Sequence, residues 1–284
     1  MPASDSQSAG LLYSLVLELK PLAEALLTPT HGYQAYSLLL QVLAGRDPAF
    51  AAELHESAGP KPLTISPLRG PMRRRGSYLL LSPEETYWLR VTVLREEAFA
   101  RLLDALVSLP SDRELRLEAA ALGLRRVVTT PGQSEWVGCT SCEKLLAEAR
   151  PERRLRLSFD SPTVFRSGGR RNLVWPLPEL VFGSLLARWN EHSPSPLAED
   201  LRSVAQEGLL LARYKLETRM LDFGKYGEVG FEGEAEYECS PQVPPQPAAQ
   251  LAALASFAFY GGIGAKTAMG MGQARRLLER QRAG

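Results

Sequence analysis

The chain has three histidines, and each can be weighed as a proton-transfer group. His55 stands in ELHESAGPKPLTIS, near the end of a short predicted helix and six residues before Lys61. A histidine that titrates near neutrality can take or deliver a proton. A lysine beside it in space can stabilise negative charge on a phosphoryl oxygen. On RNA such a pair suits attack by a 2′-hydroxyl on the adjacent phosphorus, a reaction that needs a base, an acid and charge stabilisation but no metal. DNA lacks that nucleophile. The plainer reading, that His55 flanks a helix C-terminus and Lys61 is solvated, stands beside it. His31, in PTHGYQAY near Tyr33 and Tyr36, is either a second acid–base group or a polar residue before the first helix. His192, in RWNEHSP, reads as the end of a later helix.

A second feature is the glycine-rich segment Gly261–Gly272, GGIGAKTAMGMG, which follows a helical stretch. Glycine is costly to order, so such a cluster marks sharp turns or close backbone approach. Exposed amides near Lys266 and Thr267 suit a phosphate. The segment is not a nucleotide-binding P-loop. Ala265 occupies the last glycine position, and none of the seventeen residues after Thr267 is aspartate. The acids form no DxD or HxH cluster suited to a metal-dependent nuclease. Cys139, Cys142 and Cys239 do not complete a four-ligand zinc site and read as reduced thiols of a cytoplasmic protein. No metal or other cofactor is expected.

The chain has 284 residues, 45% apolar, with a formal net charge of +1. It is long enough for one large domain or two compact ones. Met1–Gly10 lacks the basic start and apolar core of a signal peptide, and no stretch suits a membrane span. Near-neutrality hides an uneven distribution. Arg73, Arg74 and Arg75 are consecutive, and Arg153, Arg154, Arg156, Arg166, Arg170 and Arg171 face a single acid, Asp160, in their stretch. Acids gather instead in Glu228–Glu238. One basic face and one acidic edge can bind RNA on a molecule that is neutral overall.

Periodicity supplies the elements that would position these groups. Strands are predicted over Leu11–Leu19, Tyr87–Leu94, Leu115–Glu118 and Leu122–Thr130, with helices over Tyr33–Leu43, Pro48–Glu56 and Glu96–Val107. Leu63–Ile65, among prolines, is a short strand at best. This is the order of a ferredoxin-like domain, assigned to residues 1–134. A second unit, 135–284, loosely repeats it. Its strands are Leu155–Phe159, Leu209–Phe223, Tyr226–Tyr237 and Gln273–Leu278, and its helices Pro178–Trp189 and Ala248–Tyr260, with Pro241–Pro247 as a stiff connector.

ELHESAGPKPLTISPL at Glu53–Leu68, SPTVFR at Ser161–Arg166 and GGIGAKTAMGMGQAR at Gly261–Arg275 together resemble the CRISPR-associated endoribonucleases that process precursor crRNA, within the RAMP superfamily. The likeness runs from the first strand to the last. It implies an α+β fold of two tandem ferredoxin-like (RRM-like) domains with a central cleft and a C-terminal glycine-rich loop. It further implies metal-independent cleavage of repeat RNA, leaving a 2′,3′-cyclic phosphate and a 5′-hydroxyl. The family's histidine and lysine would fall on His55 and Lys61, so that His55→Ala abolishes cleavage and spares binding. A tyrosine of the first helix would fall near Gln41, where this chain departs from the pattern; either Tyr36, Tyr33 or His31 substitutes from an earlier turn, or the third role is absent. RNA would be held by Arg73–Arg75, by Arg153, Arg154, Arg156, Arg166, Arg170 and Arg171, and by Gly261, Gly262, Gly264, Lys266, Thr267, Gly270 and Gly272. The expected partner is repeat RNA, with a CRISPR effector complex as a further one and the protein a monomer or homodimer. The alternative is a non-cutting RNA-binding subunit of such a complex.

Overall fold

Leu15, Leu17 and Leu19 share one face of β1 (Leu11–Pro21), the centre of the first sheet, with Ser14, Val16 and Glu18 on the other. The structure, a computed structural model, describes residues 10–57, 59–166, 172–224 and 226–278. After β1 come β2 (Ala25–Leu27), α1 (Gly32–Ala44), α2 (Pro48–Glu56), β3 (Leu63–Ile65), β4 (Arg73–Arg75), β5 (Tyr78–Leu81) and β6 (Tyr87–Val93). Then follow α3 (Glu96–Val107), β7 (Glu114–Leu117), β8 (Ala120–Val128), β9 (Gly138–Ser141) and α4 (Cys142–Glu148). The sheet runs β3-β6-β1-β8-β7, with β9 joining β1 beyond the end of β8. Without the β7 extension, this is the fourth–first–third–second order of a βαββαβ unit.

The second unit repeats it. Its elements are β10 (Arg154–Thr163), β11 (Phe165–Arg166), β12 (Asn172–Leu173), α5 (Pro178–His192), α6 (Leu201–Gly208), β13 (Leu209–Asp222), β14 (Gly227–Cys239), α7 (Pro245–Gly261) and β15 (Ala274–Arg276). Its sheet, β13-β14-β10-β15, has the same order. The protein is therefore an α+β chain of two ferredoxin-like folds in tandem, as the sequence implied.

The two large apolar cores match the two units, and a small third cluster gathers Val16, Val128, Trp136 and Val137. Between the two units lies α7, which packs on β10 and β15 of its own sheet and on β1, β3 and β6 of the other. That position explains why its residues are apolar around the whole circumference, from Leu251 through Phe257 to Tyr260. None of the described helices is long and apolar enough to cross a membrane.

The main predicted elements appear with small shifts of boundary. The strand at Gly138–Ser141 belongs to the first sheet, so that sheet extends past the expected division between 134 and 135. Periodicity did not reveal α4, α6, β9 or the small sheet β2-β5-β4. The strands have three or four residues and the helices seven and eight, too few positions to show a period.

Candidate functional site

The two units meet around a cleft of about 710 Å³. From the first unit it is lined by His31, Gly32, Leu68, Arg69 and Arg74. The second contributes Asp160–Pro162 of β10, Arg219–Leu221 of β13, Glu232 of β14, and Met269 and Gly270 of the glycine loop. The tip of β13 reaches across, where the Asp222 amide donates to Thr30 Oγ1 at 3.0 Å.

His31 occupies the residue before α1 and is 2% exposed. Its Nδ1 lies 2.8 Å from the Thr28 carbonyl, and the Leu68 amide donates to its Nε2 at 3.0 Å. An amide donor at Nε2 requires a lone pair there, so the proton sits on Nδ1 and the ring is neutral. Burial, the largest influence, pulls its pKa below the usual histidine value, opposed by the Thr28 hydrogen bond and the Glu118 carboxylate. Arg69 crosses to the second unit, donating through Nη2 to the Asp160 carbonyl. Arg219 pairs with Glu232 at 2.6 Å. The cleft thus sets Arg69, Arg74 and Arg219 against two acids, Asp160 and Glu232. It presents cationic groups around a histidine with an unprotonated nitrogen, an arrangement fit for moving a proton beside a phosphodiester.

The glycine loop closes this cleft by backbone contact. Gly32 and Gly270 (φ 84°) meet so closely that a Cβ on Gly270 would stand 2.9 Å from the Gly32 Cα. A Cβ on Gly32 would collide with the Met269 carbonyl. SPTVFR forms the loop's cradle: the Gly272 amide donates to the Pro162 carbonyl at 3.0 Å, that of Ala265 to Val164 at 2.9 Å, and that of Gln273 to Ser161 Oγ at 2.9 Å. The Gly264 amide donates to Ser184 Oγ at 2.8 Å. These amides are spent on the protein, not held out to an anion as the sequence suggested. Lys266 is likewise committed. It is buried against Glu228, with Nζ 4.5 and 4.4 Å from the Phe223 and Tyr226 ring centres. Thr267 is buried too. Gly261 and Gly262 end α7, whereas Gly270 reaches the cleft.

His55, Lys61 and Tyr36 gather around α2 and are not among the residues lining the cleft. His55 is exposed in the last turn. The Lys61 ammonium donates to the carbonyls of His55 at 2.9 Å and Ser57 at 2.6 Å, capping the helix end rather than meeting the imidazole. Tyr36 is buried, its hydroxyl donating to the Leu54 carbonyl at 3.2 Å. Tyr33 is exposed.

Of the arginines, Arg73–Arg75 form the exposed strand β4, from which Arg74 reaches the cleft and Arg75 pairs with Glu24. Arg154 and Arg156 are paired with Glu234 and Glu236 on β14, while Arg153 and Arg166 are exposed. Arg170 and Arg171 lie outside the described residues. Sequence reasoning missed Arg69 and Arg219, whose role comes only from opposing chain segments. Among the described residues no group of three His, Cys, Asp or Glu side chains is placed to hold a metal ion.

The junction is fastened by Arg90, also missed. It is 1% exposed, and donates to Ser14 Oγ at 2.9 Å, Gln273 Oε1 at 3.0 Å and the Phe259 carbonyl. Its guanidinium lies 4.0 Å from the Phe259 ring centre and 5.2 Å from that of Trp136. Burial pulls its pKa down to about 9. Arg90→Met removes the shared donor and strands several acceptors, at about 1–3 kcal/mol each. Thermal unfolding is expected to shift down by roughly 10 °C, and an unchanged Tm would show the network to be idle.

Acid should also destabilise the protein. His192 ends α5, its ring nitrogens buried without a hydrogen-bond partner. Burial first, then Arg95 and Arg188, push its pKa down to about 4. His31 is shifted in the same direction. The unfolded chain takes up protons as pH falls through about 6.5, whereas the folded chain resists until near the lowered values. Stability is therefore expected to be full above pH 6.5 and to drain between 6.5 and 4. Tm measured at pH 7.5 and 5 checks this, and His192→Gln should reduce the difference.

Two ferredoxin-like units, an arginine-lined cleft between them and a glycine loop closing on it define a RAMP-type protein. Comparison with known proteins identifies the branch. Residues 11–147 match the family model for the CRISPR Cas6 N-terminal domain, and 157–274 that for the CRISPR-associated endoribonuclease Cas6. The chain belongs to the Cas6 family. A Cas6 from Mycobacterium tuberculosis (strain CDC 1551 / Oshkosh) is 33% identical over 134 residues, 45% of this chain and 40% of that protein. The match thus spans less than half the curated relative's length. Among solved structures, the Cas6 (TTHB231) product complex, a Thermus thermophilus protein, is 33% identical with a TM-score of 0.78, covering 95% of this chain and all of the other. The Cas6 (TTHA0078) product complex is 29% identical with a TM-score of 0.74, covering 94% of this chain and 100% of the other.

Proposed function

We propose that this protein cleaves CRISPR repeat RNA in precursor crRNA without a metal, and that His31, not His55, is the proton-transfer group. The 2′-oxygen attacks the adjacent phosphorus while its proton passes to His31 Nε2. The bond from phosphorus to the 5′-oxygen breaks and that oxygen takes a proton from water, leaving a 2′,3′-cyclic phosphate and a 5′-hydroxyl. Arg69 and Arg74 stabilise the charge that builds on the phosphoryl oxygens. RNA entering beside Leu68 displaces the amide that holds Nε2 in the free protein.

The observation carrying this reading is that His31 is the histidine on the arginine-lined cleft. The relatives support it: TTHB231 and TTHA0078 have been solved as product complexes, and a histidine-to-alanine mutant of TTHA0078 has been solved too. In that mutant the exchanged histidine lies within the first forty residues, where this chain has His31 alone. Exposed Arg73–Arg75, Arg153 and Arg166 would bind phosphates and make affinity salt-dependent.

A second reading, a crRNA-binding subunit that does not cut, is favoured by one observation: both His31 nitrogens are engaged by backbone. One experiment separates the two. Purified protein is incubated in EDTA with repeat RNA from its own genome, and with a copy carrying 2′-deoxy at the cut. A single cut with a cyclic-phosphate end, absent from the deoxy copy, supports the enzyme. Binding without cleavage supports the subunit, and activity lost in EDTA and restored by a divalent ion would overturn metal independence.

A further inference from the structure

Glu118 and Lys266 are the non-glycine residues of positive φ among the described residues, at 53° and 57°. A side chain in left-handed backbone is disfavoured, and such a residue persists where its surroundings hold it. Glu118 sits in the tight turn between β7 and β8, a place where glycine would serve with less strain. Its carboxylate reaches across to the segment before α1. One oxygen accepts the Thr28 amide proton at 2.9 Å and the other the Thr28 hydroxyl proton. The carbonyl of that same threonine accepts from His31 Nδ1 at 2.8 Å.

We propose that Glu118 is a positioning residue for the reaction. By clamping Thr28 through both its amide and its hydroxyl, it aims the Thr28 carbonyl at Nδ1, and this acceptor together with the Leu68 amide at Nε2 keeps the His31 proton on Nδ1 and Nε2 unprotonated. The clamp touches neither ring nor cleft; its contacts run through Thr28, and beyond them only its charge reaches His31. The logic is that of an outer hydrogen bond fixing the tautomer of a working histidine. Rate relevance rests on the assignment of His31 above, whereas control of the tautomer does not.

The test uses the full-length protein with Glu118→Gly and Glu118→Gln. Glycine releases the backbone strain and deletes the clamp, so Tm should hold or rise while the single-turnover cleavage rate falls roughly 10-fold or more. RNA affinity should stay unchanged, because Glu118 does not line the cleft. Nitrogen-15 NMR of the His31 imidazole should show the Nδ1-protonated tautomer in wild type and a mixture in Glu118→Gly. Glutamine still accepts from the Thr28 amide, so Glu118→Gln should restore the tautomer and bring the rate to within about threefold of wild type. A wild-type tautomer in Glu118→Gly would overturn the clamp. So would a rate that falls only together with Tm and is not rescued by glutamine. If His31→Ala cuts normally, the reading of His31 fails, and the tautomer measurement still decides the clamp.

Discussion

His31→Ala is expected to slow cleavage of repeat RNA by at least roughly 100-fold, the usual scale for losing a general acid or base. His55→Ala, by contrast, should cut within about threefold of wild type. The resemblance of Glu53–Leu68 to the family segment pointed the other way. The proposal for His31 reverses the order, because His55 is exposed on α2 and the lysine meant to accompany it caps that helix. His31 borders the cleft, with Nε2 unprotonated and Arg69 and Arg74 on the same wall. The measurement is a single-turnover rate beside an RNA-binding curve for each variant. Intact binding with lost cleavage in His31→Ala places the residue in the chemical step. The opposite pattern, His55→Ala dead and His31→Ala active, would return the site to α2.

Gly32→Ala is expected to damage cleavage and stability together. On helix propensity alone, alanine in place of glycine gains up to about 1 kcal/mol. At this position the added methyl meets the Met269 carbonyl, and neither side is a flexible side-chain end that could swing away. Forced overpacking of this kind costs typically 1–3 kcal/mol. Relief requires the turn Thr267–Met269 to back away from α1, which opens the cleft beside His31. The expected result is a Tm lower by several degrees and a cleavage rate down roughly 10-fold or more, since small misplacement at a reacting centre is costly. Gly45, at the other end of α1 with φ −64°, is the control, and Gly45→Ala should leave both quantities unchanged. A fully active Gly32→Ala would show that the contact between loop and helix does not shape the site.

Much of the architecture was legible because the signals are local. Leucine spacing marks β1, α1 and α3 over windows long enough for a period to show. The helix predicted over Pro48–Glu56 is α2, and the structure shows the Asp47 carboxylate capping it by accepting from the Phe50 amide at 3.0 Å. The glycine loop was visible by composition, and its close approach to α1 is the use that glycine allows.

The site was less legible because its members are defined by distance in space. Lys266 read as an open cation beside exposed amides, yet Glu228 from β14 and the rings of Phe223 and Tyr226 enclose it. Arg154 and Arg156 read as free RNA ligands, yet they face the acids of the neighbouring strand. Nothing beside Glu118 or Thr28 in the sequence announces their contact, which spans 90 positions. By itself the sequence determined two βαββαβ units, a glycine loop and a stock of arginines and histidines, since periodicity and backbone preference act within a few residues. Only the tertiary structure decided which histidine borders the cleft and which cations remain free, because pairing and desolvation arise where distant segments meet.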